Sequence, residues 1–189
     1  MTVDDDFGGL INRATTLWRE NFGDLLLLSL VFALVAWIPL ANVGFAAGYT
    51  RQILKVARGG KARPGELFGA WDCFGDLLVY LLLVVAAQFV LMHVPVFGQV
   101  AGFVLLVAIT PGIYAIVDRQ MKFMAAFRWS FETVRTGFVN WLLAVVIGGI
   151  FAAAGALLFG IGIVITLGWG YLVLALNYDK GAAPRVIIL

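Results

Sequence analysis

Apolar residues run in long blocks along the chain, separated by short polar segments. The first block is Leu25–Ala41, and the chain stays apolar to Tyr49. A basic stretch, Arg51–Arg63, follows. Apolar blocks resume at Leu77–Val94 and Phe97–Val117, a mixed segment covers Asp118–Gly137, and two further blocks occupy Phe138–Phe159 and Ile161–Tyr178. A bilayer-spanning helix needs about 20 apolar residues, which the last four blocks supply. The first block reads in two ways. As one helix, Leu25–Tyr49, it gives five spans. As a hairpin turning at Ile38-Pro39-Leu40-Ala41-Asn42, it gives six. Its arms are then roughly 14–16 residues, or about 21–24 Å, against a hydrocarbon core of about 30 Å. Arg51 and Lys55 would have to snorkel from the end of the second arm.

An internal repeat favours the hairpin. Phe22-Gly23-Asp24-Leu25-Leu26 recurs as Phe74-Gly75-Asp76-Leu77-Leu78 and more loosely as Phe138-Val139-Asn140-Trp141-Leu142. Pro39 is matched by Pro95. Gly44-x-x-x-Gly48 is matched by Gly98-x-x-x-Gly102 and less well by Gly162-x-x-x-Thr166. The expected architecture is all-α: a polytopic helical membrane protein, with six transmembrane helices as three pseudo-repeated hairpins (about residues 7–60, 64–120 and 121–181) in one membrane domain covering 1–189.

Each hairpin has a polar or amphipathic lead-in. In Phe7–Phe22, the residues Phe7, Leu10, Ile11, Ala14, Leu17, Trp18 and Phe22 share one helical face, opposite Asn12, Arg13, Thr16, Arg19 and Glu20. In Lys122–Phe138, Phe123, Phe127, Phe131, Val134 and Phe138 form one stripe. Arg128, Glu132 and Arg135 form another, with the acid spaced to pair with both arginines. Such helices are too charged to span and suit the membrane–water interface. Pro64–Phe74 is a shorter candidate, anchored by Trp71.

Composition agrees with this pattern. Of 189 residues, 62% are hydrophobic and 13% charged, where soluble domains hold about 25% charged residues. That leaves too little polar surface for a water-soluble fold. The net charge of +2 is no nucleic-acid signature. A single cysteine, Cys73, excludes an intramolecular disulfide and a Cys-rich metal site, and the single histidine, His93, disfavours His-based centres. The acidic start Met1–Asp6 is unlike a secretory leader.

Charge also sets orientation. The hairpin turns Ile38–Asn42, Val94–Phe97 and Phe159–Gly162 carry no charged residue, so every Lys and Arg falls on the opposite side. The positive-inside rule then places both termini in the cytoplasm, in a cell (inner) membrane.

The candidate chemistry is modest. Asp24, Asp76 and Asn140 stand at equivalent repeat positions and read as helix N-caps, with a triad of ion ligands as the alternative. Gln88, Thr110, Asn140 and Thr166 are polar residues within apolar blocks, candidates for interhelical hydrogen bonds or for a polar path. Arg51, Lys55, Arg58, Lys61 and Arg63 are candidates for lipid head-group contact. No ionised residue falls at an inferred bilayer midplane, which weakens a transport reading. Nothing in the spacing suggests a nucleophile–base pair, a phosphate loop, a metal site or a cofactor.

Trp18-x-x-Asn21-Phe22, Ile38-Pro39, Gly48-Tyr49 with the basic stretch to Arg63, and Phe127-x-x-Ser130 to Gly137-Phe138 resemble prokaryotic multi-span membrane families of unknown function, similar to the membrane domain of glycerophosphodiester phosphodiesterases. The resemblance implies fold. It carries over no enzymatic residue, because the catalytic barrel of the fused members has no counterpart here. The expected function is a non-enzymatic membrane scaffold or complex subunit acting through helix packing and lipid contact. Its partners would be membrane lipid and a second copy or another membrane protein. A small transporter or channel is the alternative, and a lipid-handling protein or enzyme a more distant one.

Overall fold

A computed structural model describes residues 3–157 and 161–182, all-helical with no strand among them. The elements are α1 (Val3–Glu20), α2 (Phe22–Val35), α3 (Ala41–Ala57), a 3₁₀ segment (Pro64–Gly69), α4 (Phe74–Leu91), α5 (Phe97–Arg119), α6 (Phe123–Thr136), α7 (Phe138–Leu157) and α8 (Ile161–Ala182).

The first apolar block is two helices. The chain breaks between Val35 and Ala41, where Pro39 leads into Leu40 at φ +64°. The Ala41 N–H donates to the Pro39 carbonyl at 2.7 Å, a three-residue turn. The turn between α4 and α5 has the same form: Val96 at φ +60°, and the Phe97 N–H on the Pro95 carbonyl at 2.6 Å. After the first turn the chain doubles back. The Ser29 and Tyr49 hydroxyls hydrogen-bond at 2.8 Å, and the Phe32 ring lies against Tyr49. The expected turn Phe159–Gly162 lies partly outside the described residues. Close approach of α7 and α8 is visible at Gly148, where a Cβ would stand 3.6 Å from the Gly170 carbonyl oxygen.

The helices that follow the turns, α3, α5 and α8, meet at the centre. Tyr49 and Tyr171 pack edge to face at 5.0 Å, Tyr114 and Tyr178 stack at 5.5 Å, and the Tyr114 hydroxyl donates to the Tyr171 carbonyl at 3.3 Å. The helices before the turns flank this centre and leave apolar side chains uncovered, among them Leu34 on α2 and Val85, Phe89 and Val90 on α4. Exposed apolar side chains in this number are what a lipid environment covers.

The lead-in segments pack on the central helices. On α1 against α8, the Trp18 indole donates to the Ile165 carbonyl at 3.2 Å, and the Trp169 indole to Thr15 Oγ1 at 3.1 Å. The 3₁₀ segment lies so close to α3 that a Cβ on Gly48 would stand 1.9 Å from the Leu67 carbonyl oxygen. α6 lies on α5 through Ala126, Ser130 and Val134. The apolar stripe of α1 is therefore spent on protein, since Phe7, Leu10 and Ala14 are all buried. On α6 the small residues face inward, while Phe131 and, just beyond the helix, Phe138 remain exposed. Trp71 is half exposed and rests on Phe45 and Phe74.

Three helices among the described residues are long and apolar enough to cross a membrane: Phe74–Leu91, Phe97–Arg119 and Gly162–Gly181. A fourth arises only if Phe123–Thr136 and Phe138–Phe151, bent by 102° at Gly137, count as one broken span. The apolar helix α2 has 14 residues, about 21 Å at 1.5 Å per residue.

Candidate functional site: a polar cavity beside a charged network

The polar residues gather at the end of the bundle where α3, α5 and α8 terminate. Arg58, just past α3, clasps Asp118 of α5 through two bonds of 2.7 and 2.8 Å and reaches Asp179 of α8 at 2.8 Å. The Tyr178 hydroxyl donates to Asp118 at 3.1 Å. Arg51 binds both carboxylate oxygens of Asp72, at 2.7 and 2.6 Å, and donates to the Val117 carbonyl at 3.2 Å. The Gln120 amide donates to the same carboxylate. Hydrogen bonds from Arg51 hold the Asp72 carboxyl below its ordinary range. Lys55 and Arg63 both pair with Glu66, at 2.9 and 3.2 Å. The Glu66 carboxyl is likewise lowered, chiefly by Lys55. The Arg119 guanidinium lies 5.4 Å from the Trp129 ring centre and 5.8 Å from that of Tyr178.

This arrangement revises the reading of the basic stretch. Arg51, Lys55, Arg58 and Arg63 are engaged by acids of the same chain, so a head group would have to compete for them. Lys61 has no ion pair among the described residues. Arg51, Lys55 and Arg58 do line a shallow cavity of about 470 Å³ with Leu54 and Gly60.

Asp24 and Asp76 are not the cap residues of their helices. Asn21 and Cys73 hold those positions, and neither makes a side-chain cap bond. The Phe-Gly pair before each acid is already helical, which puts the acid in the first turn, where it still suits the positive dipole end. Asp76 caps a different helix. It accepts the N–H of Phe123, the first residue of α6, at 3.2 Å and pairs with Lys122 at 3.1 Å. Asn140 is the third residue of α7, and its buried Oδ1 has no hydrogen-bond partner.

The four residues proposed for a polar path are dispersed. The Gln88 amide donates to the Gly102 carbonyl at 2.8 Å and ties α4 to α5. The Thr110 and Thr166 hydroxyls donate to carbonyls of their own helices, Leu106 at 2.8 Å and Gly162 at 2.9 Å. Thr166 lines an apolar cavity of about 340 Å³ between α1, α7 and α8.

Asn140 lines a separate cavity of about 470 Å³ at the elbow between α6 and α7. Trp129, Glu132 and Thr133 of α6 form one wall, Trp141 of α7 the second, and Asn177 and Lys180 of α8 the third. Asn177 is 5% exposed, and its Nδ2 has no partner. Buried polar groups are nearly always satisfied, so an unpaired donor and an unpaired acceptor lining one cavity mark it. In the sequence, Asn177 is a polar residue at the end of an apolar block. Its pairing with Asn140 depends on α7 and α8 lying together and has no local signal. Among the described residues no cluster of His, Cys, Asp or Glu could hold a metal. Compared with protein-family models, curated proteins and solved structures, the chain matches none.

Proposed function

We propose that the chain is a six-span polytopic membrane protein of three pseudo-repeated hairpins, acting without catalysis as a membrane scaffold or complex subunit through helix packing and lipid contact. The hairpins would be α2–α3, α4–α5 and α7–α8. The contacts follow one cyclic rule that supports the repeat. Each lead-in packs on the central helix of the preceding hairpin: α1 on α8, the 3₁₀ segment on α3, α6 on α5. Each flanking helix does the same: α2 on α8, α4 on α3, α7 on α5. The two γ-turns at Leu40 and Val96 agree with it. The charged end would face the cytoplasm, with both termini, and the uncharged turns the far side. The resemblance to phosphodiesterase membrane domains fits, because it too implies fold without catalytic residues.

The observation that carries the scaffold reading is the closed centre. Tyrosine rings and hydroxyls fill the space where α3, α5 and α8 meet, and Gln88, Thr110 and Thr166 are satisfied locally instead of facing one continuous path. This favours assembly over transport.

Two measurements test the proposal. Asp4→Cys should resist a membrane-impermeant maleimide added to intact cells and react after permeabilisation; strong labelling from outside would overturn the topology. The background is low, since Cys73 is 3% exposed and burial raises its thiol pKa. Purified in mild detergent, the protein should run as a discrete complex with a second copy or another membrane protein. A lone monomer that drives solute uptake into vesicles would replace the scaffold reading with transport.

A further inference from the structure

We propose that the cavity between α6, α7 and α8 binds a zwitterion carrying a phosphate and an ammonium group, of the phosphoethanolamine type. Its walls present two opposite demands. Asn177 Nδ2 is a buried donor without an acceptor, and Asn140 Oδ1 a buried acceptor without a donor. The charged residues repeat the division, with Lys180 on the α8 wall and Glu132 on the α6 wall. A phosphate would take the Asn177 amide and Lys180. An ammonium would take Asn140 Oδ1 and Glu132.

The size suits a small head group. At about 470 Å³ the cavity falls within the range of small-molecule sites, roughly 300–1,000 Å³. The site rests on the membrane placement proposed above only for the source of its ligand. A phosphatidylethanolamine head group and free phosphoethanolamine share the chemistry.

The test uses the full chain in detergent, titrated calorimetrically with short-chain phosphatidylethanolamine, short-chain phosphatidylglycerol and free phosphoethanolamine. The ethanolamine lipid should bind saturably and more tightly than the glycerol lipid, which has the phosphate and lacks the ammonium. Glu132→Gln and Lys180→Gln change exposed residues, and melting in the absence of ligand checks that each variant folds. Each should weaken binding about tenfold, the equivalent of one charge-assisted hydrogen bond. Asn177→Leu should abolish binding, and melting in the absence of ligand shows whether that variant folds. Free phosphoethanolamine binding as tightly as the lipid identifies a soluble source; binding only of the lipid identifies the membrane. No saturable binding, equal binding of the two lipids, or no effect of Glu132→Gln and Lys180→Gln overturns the proposal. Such failure leaves the topology reading standing, because the maleimide experiment decides that independently.

Discussion

Arg58 grips Asp118 across 60 residues of sequence, with both terminal guanidinium nitrogens on both carboxylate oxygens. The same side chain holds Asp179, so one residue joins the ends of all three central helices. Arg58→Ala leaves two neighbouring carboxylates facing each other without a cation between them. The Arg58 side chain is 46% exposed, so the loss is smaller than for a buried pair, about 1–2 kcal/mol. A lowered melting temperature in detergent would register it. Arg58→Lys should recover only part, since an ammonium cannot form the two parallel bonds. Full recovery by lysine would mean that charge alone matters.

Ser130 of α6 completes the backbone of α5. Pro111 removes one N–H from that helix. The Ser130 hydroxyl accepts the Gly112 N–H at 2.9 Å and donates to the Ala108 carbonyl at 2.6 Å, bridging two groups that an unbroken helix would pair directly. Tyr80 of α4 does the same for the Ile109 carbonyl at 2.8 Å. Ser130 is fully buried, so Ser130→Ala strands both backbone groups at a cost of about 1–3 kcal/mol. The exposed Thr16→Ala, which removes a hydroxyl bonded only to its own helix, should stay within about 0.5 kcal/mol of the parent. Equal melting temperatures for the two variants would contradict the bridging role.

Acid should act on the charged end first. Arg51 lowers the Asp72 pKa, so the pair contributes stability above the unfolded aspartate value of about 3.9 and loses it as pH falls through the lower folded value. Melting temperature should be nearly flat from pH 7 to about pH 4.5 and fall below about pH 4. Asp72→Asn should begin less stable and show a shallower acid slope. An unchanged slope would assign the acid sensitivity to other carboxylates.

The helices and their breaks were legible because periodicity and proline are local signals. Among the described residues the apolar blocks are helical, and the first block breaks near Pro39 as the hairpin reading had it. The lead-ins α1 and α6 fall close to their expected bounds, while Pro64–Phe74 forms only a short 3₁₀ segment. What each face packs against was not legible. The stripe of Phe7, Leu10 and Ala14 reads the same whether it meets lipid or α8, more than 140 residues away. Nor was it legible that cations from Arg51 to Arg63 meet acids of their own chain: Arg58 takes Asp118 and Asp179 from other hairpins, and the fold of the following segment brings Asp72 to Arg51 and Glu66 to Lys55 and Arg63. Asp24 and Asp76 read as caps because the apolar run starts after them, although the helix begins with the Phe-Gly pair before. The cavity at Asn140 and Asn177 required the packing of three helices that no local spacing encodes.

The turns at Leu40 and Val96 store backbone strain that glycine would release. Leu40 and Val96 sit at φ +64° and +60° with ψ −47° and −62°, a region costly for any side chain and most of all for β-branched valine. Both side chains are largely exposed, at 64% and 75%, so replacing them sacrifices little packing. Glycine adopts this conformation freely but also loosens the unfolded chain, which offsets part of the gain. Strain of this kind amounts to about 1–3 kcal/mol per residue. Val96→Gly should therefore raise the melting temperature, and by more than Leu40→Gly, with the double variant close to additive because the turns belong to different hairpins. Alanine separates the causes: Val96→Ala removes the branched side chain but keeps a Cβ at positive φ, so it should recover less than glycine. A drop in stability for both glycine variants would mean that the Leu40 and Val96 side chains hold the turns through contacts worth more than the strain.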